Sequence, residues 1–86
     1  MALYWLAYKR NGRLAGVAIL AADSLMGARM RAAVDGIGRG AMFEQGHMLN
    51  PEFAGRVPPT CVGKMLSRRE AADMLERIAR DAGNVK

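Results

Sequence analysis

The chain has 86 residues, of which 51% are apolar and 24% charged, and its formal net charge is +5. This length allows a single domain, residues 1–86, and the composition excludes an intrinsically disordered chain. The single cysteine, Cys61, excludes an internal disulfide and leaves no second thiol for a metal cluster. We therefore expect a cytoplasmic protein without a metal or other cofactor. No membrane partner is expected either, because no apolar stretch has the length of a transmembrane helix.

The basic residues are distributed unevenly along the chain. Residues 1–22 carry three basic and no acidic side chains, residues 23–50 carry three of each, and residues 51–86 carry seven basic and five acidic ones. An excess of this kind suggests an acidic partner such as nucleic acid. Arginine, however, outnumbers lysine ten to three in a chain rich in alanine and glycine. The base composition of the coding DNA alone could produce that pattern, so both explanations stay open.

Residues 3–21 predict a β-hairpin, because Asn11 and Gly12 separate two apolar runs and tolerate the positive φ angles of a type I′ turn. A two-residue loop fixes the register of the strands. The predicted pairs are Arg10 with Arg13, Lys9 with Leu14, Tyr8 with Ala15, Leu6 with Val17, Trp5 with Ala18 and Tyr4 with Ile19.

In this register neither face of the hairpin is polar. The predicted first face carries Tyr4, Leu6, Tyr8, Ala15, Val17 and Ile19, and the second carries Leu3, Trp5, Ala7, Leu14, Gly16, Ala18 and Leu20. Such a sheet is covered on both sides or leaves an apolar patch for a partner. Trp5 can be buried over the small residues of its face. Because two helices cover both faces of a sheet with difficulty in so short a chain, a homodimer is the other expectation. Its candidate interface is Leu3, Trp5, Leu14 and Leu20.

After the hairpin, Asp23 or Ser24 can cap a helix that ends at Gly36 and Gly38. Its apolar positions are predicted to be Met26, Met30, Ala33 and Ile37, with Leu25 and Val34 beside them. An ion pair is expected between Arg31 and Asp35. Residues 42–49 alternate like a third strand, in which Gly46 is a weak point or a bulge.

The last third of the chain predicts two more helices. Asn50 caps a brief one, with Pro51 at its first position, and residues 57–59 end it. Residues 61–66 form a connector or a short edge strand. Ser67 and Glu70 form a capping box that opens the last helix. Its buried stripe is predicted to be Ala71, Met74, Leu75, Ile78 and Ala82, and Gly83 is predicted to stop it. The order of elements predicts an α+β domain, with a small antiparallel-rich sheet and two main helices.

No motif in the chain points to catalysis. His47 and Cys61 are the only imidazole and thiol, and they could form an activated nucleophile, but no local signature supports this pair. A closed zinc site needs four ligands. The glycines of residues 36–40 follow a helix instead of preceding one, so they indicate a helix end and not a phosphate-binding loop. We therefore expect that the protein is not an enzyme.

Two binding functions remain. The first is binding of a partner, or self-association, through the hairpin. The alternative is nucleic-acid binding by the basic hairpin tip together with the basic start of the last helix. The candidate contacts are Lys9, Arg10, Arg13, Arg68 and Arg69. Tyr4 and Tyr8 could stack on bases, but their apolar neighbours place them first in the core.

Overall fold

The computed structural model describes residues 1–83, which form a four-stranded antiparallel sheet with helices on both faces. The strands are β1 (Ala2–Arg10), β2 (Arg13–Ala22), β3 (Met42–Met48) and β4 (Met65–Ser67). The helices are α1 (Leu25–Val34), α2 (Pro51–Ala54) and α3 (Arg68–Gly83), and a 3₁₀ turn covers Pro59–Cys61. The strand order is β3-β1-β2-β4. The predicted α+β class and order of elements are confirmed.

The turn between β1 and β2 has the predicted type I′ conformation. Both of its central residues have positive φ, which is 53° at Asn11 and 77° at Gly12. These two residue types adopt such angles at the lowest steric cost. Arg10 pairs with Arg13 beside the turn, as expected. Local sequence is therefore sufficient to specify this turn.

Beyond the turn, the hairpin departs from the predicted register. Tyr8 pairs with Gly16, so that Ala15 is an extra residue in β2. A bulge of one residue moves every later side chain of the strand to the opposite face. The observed pairs are Ala7 with Val17, Leu6 with Ala18, Trp5 with Ile19 and Tyr4 with Leu20. The predicted register is wrong from Ala15 onward.

One face of the sheet is covered by α1, which contacts it through Ala28 and Ala32. Both alanines are fully buried. The side chains of the sheet in this cluster are Tyr4, Leu6, Tyr8, Ala18, Leu20 and Ala22. Because the contact residues of the helix are small, its axis can approach the sheet closely. The two tyrosines are buried in the core, as the prediction preferred, and offer no open ring for stacking.

The large apolar side chains predicted for the buried side of α1 lie on its outside. Met26 is 60% exposed, Met30 62% and Val34 82%. A spacing of four residues fits Met26 with Met30 as well as Ala28 with Ala32. The bulky side chains of β1 fill the space beneath the helix, so the alanines are the residues that fit. The predicted stripe is therefore wrong at these three residues and at the exposed Ala33. Leu25 and Ile37, also predicted, pack against the core as expected.

The opposite face of the sheet is covered by α3. Ala71, Met74 and Ile78 are buried there as predicted, whereas Leu75 is 38% exposed and its prediction is wrong. The side chain of Ala82 and the chain beyond Gly83, where the helix was predicted to stop, lie outside the described residues. The partners of α3 include Val17, Ile19, Leu49, Val57 and Leu66. Each main helix thus covers its own face, so the sheet is covered on both sides, which is the first of the two predicted alternatives.

The remaining elements complete this second face and the edges of the sheet. α2 begins after Asn50, whose Oδ1 accepts a hydrogen bond from the N–H of Glu52 at 2.9 Å. β4 lies at the edge beside β2, and β3 at the edge beside β1. Gly46, predicted as a weak point or a bulge, pairs regularly with Leu6, and the bulge of β3 lies at Glu44. Within residues 1–83, no helix is long and apolar enough to cross a membrane.

Candidate functional site

Basic side chains from three segments meet at one end of the sheet. β1 ends and β2 begins at the hairpin tip, while β3 starts beside Lys9 and β4 finishes opposite Gly16. The segment before β3 and the start of α3 therefore lie at the same end as the tip. We call this region the cationic end; its members are Lys9, Arg10, Arg13, Arg39, Arg68 and Arg69.

Direct contacts connect the hairpin tip with the segment before β3. The Arg10 guanidinium donates hydrogen bonds to the carbonyl oxygens of Gly40, at 3.0 Å, and Arg39, at 3.5 Å. On the other side of the hairpin, Leu14 lines a shallow cavity together with Arg68 and Arg69. The carbonyl oxygens hold Arg10 in place but, being neutral, leave its charge in full.

Most charges of the cationic end have no carboxylate partner within residues 1–83. Lys9 is the exception, because its Nζ lies 3.4 Å from Glu44 Oε1. The other ion pairs of the described residues are Arg31 with Asp35, Arg56 with Glu52, and Arg80 with Glu76. The pair of Arg31 and Asp35 is the one predicted. The five arginines of the cationic end thus present positive charge that the described part of the chain does not neutralise by an ion pair.

A confirmed capping box positions Arg68 and Arg69. The N–H of Ser67 donates to Glu70 Oε1 at 2.9 Å, and the N–H of Glu70 donates to Ser67 Oγ at 3.1 Å. These hydrogen bonds lower the pKa of Glu70 from its usual value, with a smaller contribution from the charge of Lys64. The ionised carboxylate is therefore turned towards the start of the helix. Both arginines are exposed beside it.

A groove between α1 and β3 adjoins the cationic end. We call it the α1 groove; its volume is about 530 Å³ and residues 36–41 close one end of it. Its other lining residues are Tyr8, Met26, Arg29, Met30, Ala33 and Phe43. Most of these side chains are apolar, and two arginines, Arg29 and Arg39, supply positive charge. The exposed methionines of α1 thus form a wall of this groove.

Aromatic rings form the floor of the α1 groove. The rings of Tyr8 and Phe43 meet edge to face with centroids 5.9 Å apart, and the Arg29 guanidinium lies 4.1 Å above the Phe43 ring. Burial raises the pKa of Tyr8, and the charge of Arg29 opposes this rise. The Tyr8 hydroxyl is therefore neutral at physiological pH, so the groove gains no negative charge from it.

The glycines of residues 36–40 shape the closed end of the groove. Gly38 has a φ of 76°, and a Cβ atom there would lie 2.7 Å from the Tyr8 ring. α1 ends at Val34, two residues before Gly36, in agreement with the predicted helix end. The glycines are therefore required by backbone conformation and by close packing on Tyr8.

The four residues predicted as a dimer interface do not form one surface. Leu20 is 4% exposed and packed beneath α1, because the bulge at Ala15 places it on the opposite face from Trp5. Leu3 and Trp5 pack against the cluster under α3, and Leu14 is exposed near the hairpin tip. Trp5 also stacks on His47, with ring centroids 6.5 Å apart. A single interface made of these four residues is therefore excluded by the register.

His47 and Cys61 are not brought together. His47 lies on β3, whereas Cys61 ends the 3₁₀ turn that precedes β4, at the other edge of the sheet. Cys61 lines a cavity of about 500 Å³ with Glu70 and Asp73, and His47 is not among its lining residues. In the described part of the chain, no group of three His, Cys, Asp or Glu residues is arranged to hold a metal ion.

Comparison with protein-family models, with curated proteins and with solved structures gives no significant match. The function must therefore be argued from the geometry of the chain itself. Arg29 and Arg39 were not among the predicted contacts, because one falls within a helix and the other within a glycine-rich connector. The neighbours of Arg29, Ala28 and Met30, are as apolar as those of Arg31, so the sequence offered no signal that distinguishes the two.

Proposed function

We propose that this chain is a nucleic-acid-binding module without catalytic activity, and that its cationic end contacts the phosphates. The observation that carries the proposal is the convergence of six basic side chains at one end of the sheet. Five of them are arginines without an ion-pair partner in residues 1–83. Guanidinium groups suit phosphates because their planar donors can bind two oxygens at once.

The width of the cationic end matches a repeating anion better than a single small one. Four strands, with neighbours about 4.8 Å apart, span about 14 Å. A nucleic-acid duplex carries a negative charge about every 1.7 Å along its axis, so several phosphates fall within that width. An isolated small anion would use only one or two of the arginines. The spread of charge over three segments therefore favours a polymer.

Binding through phosphates predicts a steep dependence on salt. Each neutralised phosphate releases condensed counterions, and five contacts correspond to a slope of log K against log salt of roughly −3.5 to −4.5. The slope can be measured by fluorescence anisotropy with labelled DNA and RNA at several salt concentrations. A protein that binds neither polymer at low salt would contradict the proposal.

Paired charge reversals locate the contact. Arg13→Glu with Arg69→Glu changes the cationic end, whereas Arg77→Glu with Arg80→Glu makes the same change in charge further along α3. Arg10 is left intact because it holds residues 39–40 in place. The first variant should weaken binding uniformly across sequences and reduce the salt slope by about two. The second should retain the slope of the unmodified protein. Equal losses in both variants would mean that only net charge matters, which contradicts the proposed site.

Self-association remains a second candidate function, but at a different surface. The body of the hairpin is covered on each face by a helix of its own chain. Most of the exposed large apolar side chains of residues 1–83 lie on α1 and on the edge strand β3; they include Met26, Met30, Met42 and Met48. Exposed apolar side chains and a sheet edge both favour contact with a second copy. Sedimentation should then detect a dimer that Met48→Glu dissociates, and a monomer at high concentration would exclude it.

A further inference from the structure

We infer that the α1 groove binds an unpaired base of a single-stranded nucleic acid whose phosphates lie on the cationic end. This inference rests on the proposed function and adds to it a substrate class, single-stranded DNA or RNA. It combines three features of the groove: its apolar lining, its positive charge and its continuity with the hairpin tip.

The size and lining of the groove suit a flat, mostly apolar group. A volume of about 530 Å³ lies within the usual range of ligand pockets. Met26 and Met30 form one wall, and their unbranched side chains can adapt to rings of different shape. Phe43 forms the floor with the buried Tyr8. Such a site accepts any base, because every base has an apolar face for stacking.

The charge of the groove suits a base that is attached to a phosphate. Arg29 and Arg39 both line it, and none of its lining residues is acidic. The Arg29 guanidinium has one side over Phe43, at 4.1 Å, while the residue as a whole is exposed. Its other side is available for a base, since arginine planes commonly stack on unpaired bases. Arg39 lies at the end of the groove nearest the hairpin tip.

The groove and the hairpin tip are joined by direct hydrogen bonds. Arg10 donates to the carbonyl oxygens of Arg39 and Gly40, and both residues line the groove. A strand whose phosphates lie on Arg10 and Arg13 therefore has its bases next to the groove. In a duplex the bases are paired and stacked inside the helix, so they cannot enter. The arrangement predicts a preference for single strands.

The test compares ligands that have equal numbers of phosphates. Fluorescence anisotropy is measured with oligothymidylate, with oligouridylate, with an oligonucleotide of the same length whose bases are replaced by abasic sites, and with a duplex carrying the same number of phosphates. We expect at least one base-bearing single strand to bind about 10-fold more tightly than the abasic strand, because stacking of one base strengthens binding by about this much. Comparison of oligothymidylate with oligouridylate shows whether the groove prefers DNA or RNA.

A matched pair of variants places the effect in the groove. Ala33→Glu puts a carboxylate one helical turn after Arg29, where it can pair with the guanidinium and occupy the groove. Val34→Glu adds the same charge at the neighbouring residue, which does not line the groove. Ala33→Glu should abolish the preference for bases over abasic sites, and Val34→Glu should retain it. Both positions are exposed, and thermal unfolding verifies that each variant is folded.

The outcomes separate this inference from the proposed function. Equal affinity of the unmodified protein for the base-bearing and abasic strands overturns the inference and leaves phosphate binding intact. A preference that survives Ala33→Glu in a folded protein also overturns it. Absence of binding to every ligand at low salt overturns the inference together with the proposed function. The comparison of ligands needs no variant, so a failure of Ala33→Glu to fold does not prevent the test.

Discussion

The two helices that cover the sheet use their apolar side chains in opposite ways. α3 buries Met74 and Ile78 in the core and turns mostly charged residues outward. α1 contacts the sheet through Ala28 and Ala32, while Met26 and Met30 are more than half exposed. Burying a large aliphatic side chain contributes about 1.5 to 3 kcal/mol to folding, and an exposed one contributes little. The large apolar side chains of α3 therefore stabilise the fold, whereas Met26 and Met30 of α1 remain available for the groove.

The two helices should differ most in how much stability is lost when a large apolar side chain is removed. Ile78→Ala should lower the free energy of unfolding by about 2 to 5 kcal/mol, because it removes buried methyl groups and leaves a cavity. Met30→Ala removes a comparable side chain from α1 and should change it by less than about 0.5 kcal/mol. Urea denaturation measures both. Similar losses would contradict the division between a structural and an exposed apolar surface.

An intermediate effect is expected where α1 contacts the sheet. Ala32→Leu should lower the free energy of unfolding by about 1 to 3 kcal/mol, because the close approach of helix and sheet leaves no room for a larger side chain. Ala72→Leu makes the same change on the exposed side of α3 and should be nearly neutral. If thermal unfolding finds Ala32→Leu as stable as the unmodified protein, α1 does not pack on the sheet as closely as we describe.

The smallest effect is expected at the helix caps, and its pH dependence should differ between the helices. Ser67→Ala and Ser24→Ala should each cost about 1 kcal/mol, since each hydroxyl accepts a hydrogen bond from a backbone N–H. In α3 the Glu70 carboxylate also takes part in the cap. The first turn of α1 has no acidic residue that could do the same.

The direction of this pH dependence follows from the lowered pKa of Glu70. A carboxyl group whose pKa is lower in the folded state stabilises the fold above its unfolded value, near 4.5, and loses this effect as the pH falls through its folded value. Urea denaturation gives the free energy of unfolding of Glu70→Gln and of the unmodified protein. The difference between the two should therefore be smaller at acidic pH than at neutral pH. An equal difference at both would exclude a role for the ionised group.

The features that the sequence could predict depend on neighbouring residues. Asn11 and Gly12 specify the hairpin turn, and Ser67 with Glu70 specifies the start of α3, because each pair satisfies its own backbone within a few residues. The face of each side chain in β2 depends instead on Ala15. Whether a bulge forms there is decided by the packing of two helices on the two faces, which no local pattern contains.

The candidate site was only partly predictable for a similar reason. The basic residues of the hairpin tip and of the start of α3 could be named from their local context. Arg39 could not, because only the order and directions of the strands bring it beside Arg10. The exposed wall of the groove was assigned to the core, since a spacing of four residues does not distinguish Met26 with Met30 from Ala28 with Ala32.

The extra residue at Ala15 also constrains how related chains can differ in length. Deleting Ala15 itself would leave Val17 opposite Ala7, so the later side chains of β2 would keep their faces. Adding or deleting one residue between Gly16 and Ile19 would instead turn Ile19 towards α1. A change of two residues would keep each side chain on its side. In homologous sequences, gaps between Gly16 and Ile19 should therefore occur in even numbers, whereas a residue at position 15 can be lost alone. The length of the connector between α2 and β4 does not decide the face of a strand side chain, so it can vary by single residues.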